Sequence, residues 1–286
     1  MIKNLRKISQ TLKSQSTIEG AGVRLKRVFG YPEMPIFDPF LLMDDFHSSD
    51  PEDYQAGFPW HPHRGIETIT YMLRGEVAHK DSMGNSGLIR QGDVQWMTAG
   101  SGIIHEEMPK PPDRHLWGFQ LWANLPGSHK MMDPRYRNLT QDQIPRVSPH
   151  EKVTIKIICG AVGGVKGPVQ DIVIEPEYLD ISVGPGSVYE HPVRQGHTAF
   201  CYVIEGEGAF DKEGTQSISA ETVVLFEDGD GIRVATAKEP VRFLMIAGKP
   251  IREPIAWYGP IVMNTNAELT LAFEEYQNGN FIKKKS

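Results

Sequence analysis

Cysteine is nearly missing from this chain of 286 residues: there are two, Cys159 and Cys201, each inside an apolar, strand-like run. That scarcity excludes a disulfide-stapled secreted scaffold and points to reduced core residues of an intracellular protein. No stretch of about 18 or more apolar residues occurs, so no membrane-spanning helix is expected. An excess of positive charge is also lacking. The formal net charge of −6 argues against a dedicated nucleic-acid surface, and direct nucleic-acid binding is not expected. The local basic stretch Arg24-Leu25-Lys26-Arg27 reads as a solvated strand edge. The N-terminus is basic and Ser-rich, with no acid through Ser16, but it has no apolar signal core. It reads as a polar extension, and the location implied is cytoplasmic, or also nuclear in a eukaryote. Lys283-Lys284-Lys285 reads as a solvated end.

Helical periodicity is missing throughout the first half, and turn chemistry is abundant: the chain holds 28 Gly and 21 Pro. Many short strands joined by tight turns require this composition. Strands are expected over 22–27, 77–80, 88–90, 94–98 and 116–124, with turns at Met83–Gly87, Gln91–Asp93 and Ala99–Gly102. The Pro-punctuated, polar segment from Pro126 to about Pro149 reads as an interdomain linker, and Pro250–Pro260 as an extended connection. Near the end, Leu269, Leu271, Ala272 and Phe273 are spaced among Glu268, Glu274 and Glu275, which predicts a helix over Asn266–Gln277.

The second half repeats the first. Tyr202-Val203-Ile204-Glu205-Gly206-Glu207 aligns with Tyr71-Met72-Leu73-Arg74-Gly75-Glu76, and after a short gap Glu221–Gly229 aligns with Gly92–Gly100. Such self-similarity indicates duplication of one β module.

Two clusters carry the chemistry. Trp60-His61-Pro62-His63-Arg64-Gly65-Ile66-Glu67 opens with His-x-His, which on a strand places both imidazoles on one face. Farther on, Ile104-His105-Glu106-Glu107 again puts a His and a Glu on one face. Three imidazoles and a carboxylate, without thiolates, suit a mononuclear first-row transition-metal site of Fe, Cu, Ni, Mn or Zn. Strand parity allows either Glu107 or Glu67 as the carboxylate, Glu67 otherwise serving to orient a ligand imidazole. His79 and His115 are further candidates for supporting or lining roles. Trp96, Met97, Trp117, Phe119 and Trp122 read as barrel core, or alternatively as walls for a flat aromatic ligand. The repeat supplies an internal control. His61, His63 and Glu67 align with Pro192, Arg194 and Thr198, and His105 and Glu107 with Val234 and Thr236. Joint loss of all of them marks one copy as metal-binding and the other as structural, with His191 and His197 read as ordinary structural histidines.

At these clusters the sequence resembles the pirin family, a branch of the cupin superfamily. The resemblance runs through DPFLLMDDFH (Asp38–His47), FPWHPHRGIETITYML (Phe58–Leu73), GDVQWMTAGSGIIHEEMP (Gly92–Pro109), FQLW (Phe119–Trp122) and YGPIVMNTNAEL (Tyr258–Leu269), covering nearly the whole chain. It implies an all-β bicupin of two β-sandwich barrels with a short C-terminal helix. The barrels would be an N-terminal metal-binding domain, 1–145, and a C-terminal domain, 146–286, without metal ligands. The family's ligand pattern falls on His61, His63, His105 and Glu107, favouring Glu107 over Glu67. It implies Fe(II), with Cu, Ni, Mn, Co or Zn as alternatives. Two functions are implied. One is a quercetin 2,3-dioxygenase-like oxygenase acting on a small aromatic enol and O₂, with Glu107 as the catalytic base. The other is an iron-containing transcriptional cofactor or metabolic regulator that works through a protein partner. A monomer is expected. Thr98 departs from the usual cupin proline, and Trp60 and Ser101 depart from the residues common in the family beside the metal mouth.

Overall fold

The structure, a computed structural model, describes residues 2–110, 114–214 and 216–283. Lys284 and Lys285, expected to form a solvated end, lie outside the described residues. The chain separates into two compact units that are interleaved in sequence. Unit one comprises Met1–Ser14, Glu33–Pro39 and Asp142–Pro250, and unit two Gln15–Pro32, Phe40–Gln141 and Ile251–Ser286. The main change of unit, at Gln141–Asp142, lies close to the linear boundary expected at 145, while both chain ends are exchanged.

Unit two is a pair of antiparallel sheets. The larger runs in the order Arg135–Leu139, Val94–Thr98, Ile66–Arg74, Leu116–Asn124, Phe40–Ser48, Val23–Phe29, Gln15–Glu19. The smaller runs Phe58–His63, Ile103–Pro109, Val77–Asp81, Ser86–Ile89. Ile66–Arg74 sits inside its sheet and is buried along nearly all its length, which explains why it lacks the polar alternation of a half-exposed strand. Val23, Leu25, Phe46, Met72, Val77 and Leu116 pack together between the sheets. The expected strands at 94–98 and 116–124 and the helix Asn266–Gln277 form at those bounds. The helix starts at a capping box: the Thr265 side chain accepts from the Glu268 amide, and the Glu268 carboxylate accepts from the Thr265 amide.

The linker expectation is corrected. Arg135–Leu139 pairs antiparallel with Val94–Thr98 as an edge strand of the larger sheet, and Arg146–His150 pairs with Val153–Cys159. Pro134 and Pro145 stand directly before these two strands and Pro149 lies within the second, which hid them, because proline is tolerated at sheet edges and strand ends.

Unit one repeats the construction. Its sheet runs Ile8–Lys13, Thr222–Phe226, Thr198–Ala209, Val241–Gly248, Glu177–Val183, Val153–Cys159, Arg146–His150, and Val188–Pro192 pairs with Gly231–Ala235. Ile155, Leu179, Cys201, Val224, Phe243 and Met245 belong to one buried core. Aligned turn positions keep their backbone geometry across the repeat. Gly75 and Gly206 have φ of 79° and 71°, and Gly92 and its counterpart Glu221 have 86° and 63°. Cys159 and Cys201 are buried and not joined in a disulfide, and burial pushes the Cys201 thiol well above its usual range.

The N-terminal segment belongs to this unit through Arg6. Its side chain is buried and donates to the carbonyls of His197, Glu227 and Arg194 and to the Asp228 carboxylate. Arg6→Leu is expected to lower stability by about 2–4 kcal/mol, given several lost hydrogen bonds at roughly 1 kcal/mol each and some to charge. Lys3→Leu, at an exposed position, should stay within about 0.5 kcal/mol. Urea denaturation measures both, and an unshifted midpoint for Arg6→Leu would refute the anchoring role.

Candidate metal centre

The His-x-His strand Phe58–His63 lies antiparallel to Ile103–Pro109, with His61 directly opposite His105. Pairing slips by one residue beyond that point, so Glu107 meets Phe58. The ligand-type nitrogens of His61, His63 and His105 lie within 4.8 Å of one another. His63 and His105 are buried and His61 is half-exposed. Among the described residues no second set of three His, Cys, Asp or Glu side chains converges in this way.

The tautomers follow from the partners behind the rings. His61 Nδ1 lies 2.8 Å from the Pro59 carbonyl and His63 Nδ1 lies 3.2 Å from the Pro260 carbonyl. A carbonyl only accepts, so each ring carries its proton on Nδ1 and turns a bare Nε2 inward. Those two Nε2 atoms are 3.1 Å apart, a contact of two lone pairs that needs a cation or proton to be favourable. His105 Nδ1 faces the Tyr136 hydroxyl at 3.3 Å, and its buried Nε2 has no protein partner. Burial, then the neighbouring imidazoles, lowers the pKa of His63 and of His105 well below the usual histidine range. Neutral rings with outward Nδ1 partners and inward Nε2 lone pairs are what a transition-metal ion requires. The residues fit such an ion.

Glu107 does not join this nitrogen group. Its Oε1 accepts from the Thr70 hydroxyl at 3.2 Å and its Oε2 from the Gln120 amide at 2.9 Å. Beside it lies a void of about 20 Å³, lined otherwise by apolar side chains such as Val23, Phe46 and Leu116. Glu67 stands elsewhere, in the larger sheet, where Thr98 Oγ1 donates to its carboxylate at 2.5 Å and burial raises its pKa. His79 packs its ring against Tyr136 at 5.6 Å, behind His105. His115 lies outside the imidazole group.

The backbone carrying the ligands is clamped on both sides of Gly65. Buried Arg64 donates to the Ser101 carbonyl, the Glu275 carboxylate and the Phe281 carbonyl, with its guanidinium 4.2 Å over the Phe281 ring. Lys130 Nζ donates to Gly65 O, Asn124 Oδ1 and Val262 O at 3.0, 2.7 and 3.0 Å, and burial lowers its pKa to about 7. Gly65 has φ of 79°, and a Cβ there would fall 1.9 Å from the Val262 carbonyl, so no other residue fits this turn.

Outside the imidazoles opens a cavity of about 840 Å³. Tyr31, Trp60, Trp122, Trp257 and Tyr258 line it, and Trp257 packs against both Tyr31 and Trp122. Arg27 lies in the same wall, held bidentate by Asp44 at 2.7 and 3.0 Å and by Glu19 at 2.8 Å; it is an ion-paired residue rather than part of a basic patch. Of the aromatic set read from the sequence, Trp96, Met97 and Phe119 are core, Trp117 stacks on His47, and only Trp122 reaches the cavity. Trp60 is half-exposed at the mouth, but Ser101 is buried behind the site and does not line it. Tyr31, Trp257 and Tyr258 carried no sequence signal for this role. Tyr136 was missed with its strand, Arg-Tyr-Arg-Asn-Leu, which carries no apolar alternation. In unit one, His191 is buried between the Tyr189 hydroxyl and the Glu177 carboxylate, each 3.0 Å away.

Two barrels of one construction, only one of them bearing converging imidazoles among the described residues, define a bicupin with one candidate metal centre there. Comparison with known proteins narrows that class. The Pirin family model matches residues 22–123 and the model for the Pirin C-terminal cupin domain matches residues 178–282; the chain belongs to the pirin family. It is 42% identical over 278 residues to a pirin-like protein of Caulobacter vibrioides, covering 97% of this chain and 99% of that one. It is 40% identical over 277 residues to pirin of Homo sapiens, covering 96% and 93%. A crystal structure of quercetin 2,3-dioxygenase from Acinetobacter baumannii matches with a TM-score of 0.88 at 33% identity, covering 97% and 98%.

Titration of metal-stripped protein with Co(II) is expected to show one bound equivalent. His63→Ala and His105→Ala should each weaken binding by more than the ~10–100-fold typical of outer-sphere partners. Calorimetry checks this, and uptake that survives both substitutions would dismiss the centre.

Proposed function

We propose that the protein is a metal-dependent dioxygenase acting on quercetin-like flavonols or related enols, with Fe(II) held by His61, His63, His105 and Glu107. The observation that carries this reading is the convergence of three imidazoles, two of which, His61 and His63, line an aromatic-walled cavity large enough for a flat, drug-sized ligand. Kinship at 33% identity with a quercetin 2,3-dioxygenase structure supports it. When bound, the metal supplies Lewis acidity toward the substrate hydroxyl and an adjacent position for O₂. The chain's own residues do the rest. Trp122, Trp257 and Tyr258 hold the planar substrate by its faces. The imidazoles stay fixed in orientation, because each Nδ1 is engaged from behind. Glu107, set among donors from Thr70 and Gln120, accepts the substrate hydroxyl proton on a carboxylate oxygen.

Glu107→Gln should therefore keep the fold and lose at least about 10²-fold in turnover, the lower range for a general base. Oxygen uptake with quercetin, together with carbon monoxide release, measures it on Fe(II)-loaded and metal-stripped protein. Undiminished uptake by the variant would rule out the proton role, and no uptake by loaded wild type would rule out the oxygenase.

The second reading is an iron-containing regulator acting through protein contact. The observation favouring it is the exposed aromatic rim of the same cavity: Tyr258 is 71% exposed, Tyr31 63% and Trp60 51%. On that reading, capture of a partner protein depends on the oxidation state of the metal and falls in Trp60→Ser and Tyr258→Ser. Capture indifferent to both counts against it.

A further inference from the structure

Glu107 is the one proposed ligand that stands apart from the imidazole nitrogens, and the groups that hold it there are specific. Thr70 and Gln120 sit directly opposite each other on adjacent strands of the larger sheet. Both reach Glu107 on the facing sheet, each bonding a different carboxylate oxygen. A side-chain amide is symmetric in shape, so its direction has to be read from its partners. Here the partner is unambiguous. Trp122 Nε1 lies 3.1 Å from Gln120 Oε1, and an indole N–H can only donate. The Gln120 carbonyl therefore faces Trp122 and its NH₂ faces Glu107. Turning the amide over would set acceptor against acceptor at Glu107 and donor against donor at Trp122.

The same residues span the distance between the two cavities. Gln120 lines both the small void beside Glu107 and the outer aromatic cavity. Trp122 forms part of the outer wall, with its ring 5.1 Å from that of His63. Residues 120 and 122 share one face of the strand Leu116–Asn124, because side chains alternate. A hydrogen-bonded line thus runs from the cavity wall to the carboxylate: Trp122 N–H to Gln120 carbonyl, and Gln120 N–H to Glu107.

We infer that Gln120, oriented by Trp122, is a positioning residue that fixes the direction of the Glu107 carboxylate, and that the two form a relay from the substrate wall to the fourth ligand. This rests on Glu107 being the fourth ligand, as proposed above. It does not depend on which substrate the site takes. Gln120 acts through Glu107 and not on its own, so its effect must vanish when Glu107 is absent.

That dependence gives the test. Metal-stripped wild type, Gln120→Leu, Trp122→Phe, Glu107→Ala and the double variant Gln120→Leu/Glu107→Ala are titrated with Co(II). Affinity is read by calorimetry and the ligand set by visible absorption of the bound ion. Gln120→Leu should weaken Co(II) binding by about 10–100-fold, the range for a group that orients a ligand, and should change the absorption spectrum. Trp122→Phe, which keeps the ring and removes only the donor, should give a smaller change in the same sense. In the Glu107→Ala background, Gln120→Leu should change nothing further. Equal losses in both backgrounds, or wild-type affinity and spectrum in Gln120→Leu, would overturn the inference. If Gln120→Leu does not fold, Trp122→Phe with and without Glu107→Ala carries the same cycle. A wild type that binds Co(II), shows the coupling and leaves quercetin untouched upholds the relay and removes the oxygenase. A wild type that binds no Co(II) removes both.

Discussion

The site depends on two prolyl carbonyls. Pro59 and Pro260 take the Nδ1 protons of His61 and His63, and by doing so decide which nitrogen of each ring faces inward. Without them either ring could turn over or change tautomer, and the Nε2 pair 3.1 Å apart would relax into an ordinary imidazole–imidazole hydrogen bond. The carbonyls are backbone groups, fixed by the fold and insensitive to pH. Buried Arg64 and Lys130 then lock the chain on either side of Gly65, so the lone pairs converge on a platform that cannot easily yield.

What the sequence disclosed was the part governed by local periodicity. His-x-His and His-x-Glu declare which side chains share a face, and the strands at 94–98 and 116–124 and the helix at 266–277 follow from patterns of a few residues. The pairing of His61 with His105 required a register that no local pattern encodes. Tyr136 lay in a segment whose prolines imitate a linker. Tyr31, Trp257 and Tyr258 come from segments far apart in sequence that meet only in the folded cavity. Pro59 and Pro260 contribute through their carbonyls, and a backbone carbonyl carries no residue-type signature at all. Glu67 and Glu107 have equal claims by parity; they separate only once each is seen with its partners, Thr98 for the first, Thr70 and Gln120 for the second.

Unit one shows what the same barrel does without the centre. It keeps the turn geometry at Gly206 and Glu221 and a buried core of Ile, Val, Leu and Phe side chains. Its buried histidine is used differently: both nitrogens of His191 face groups of the protein itself, the Tyr189 hydroxyl and the Glu177 carboxylate. In unit two the inward side of His105 faces the imidazoles of His61 and His63 instead.

The exchange of chain ends has a consequence for biosynthesis. Ile8–Lys13 pairs with Thr222–Phe226, far downstream in the chain, and the sheet that receives it is complete only after Val241–Gly248 has emerged. The barrel with the imidazoles waits longer still, since Arg64 is closed over by Glu275 and Phe281 near the other terminus. Neither unit is built from one continuous stretch of the growing chain, as separate domains in tandem usually are. Pieces of both therefore coexist with open strand edges until Val241–Gly248 has been made, and a product cut short before Asn266–Gln277 lacks the groups that close over Arg64.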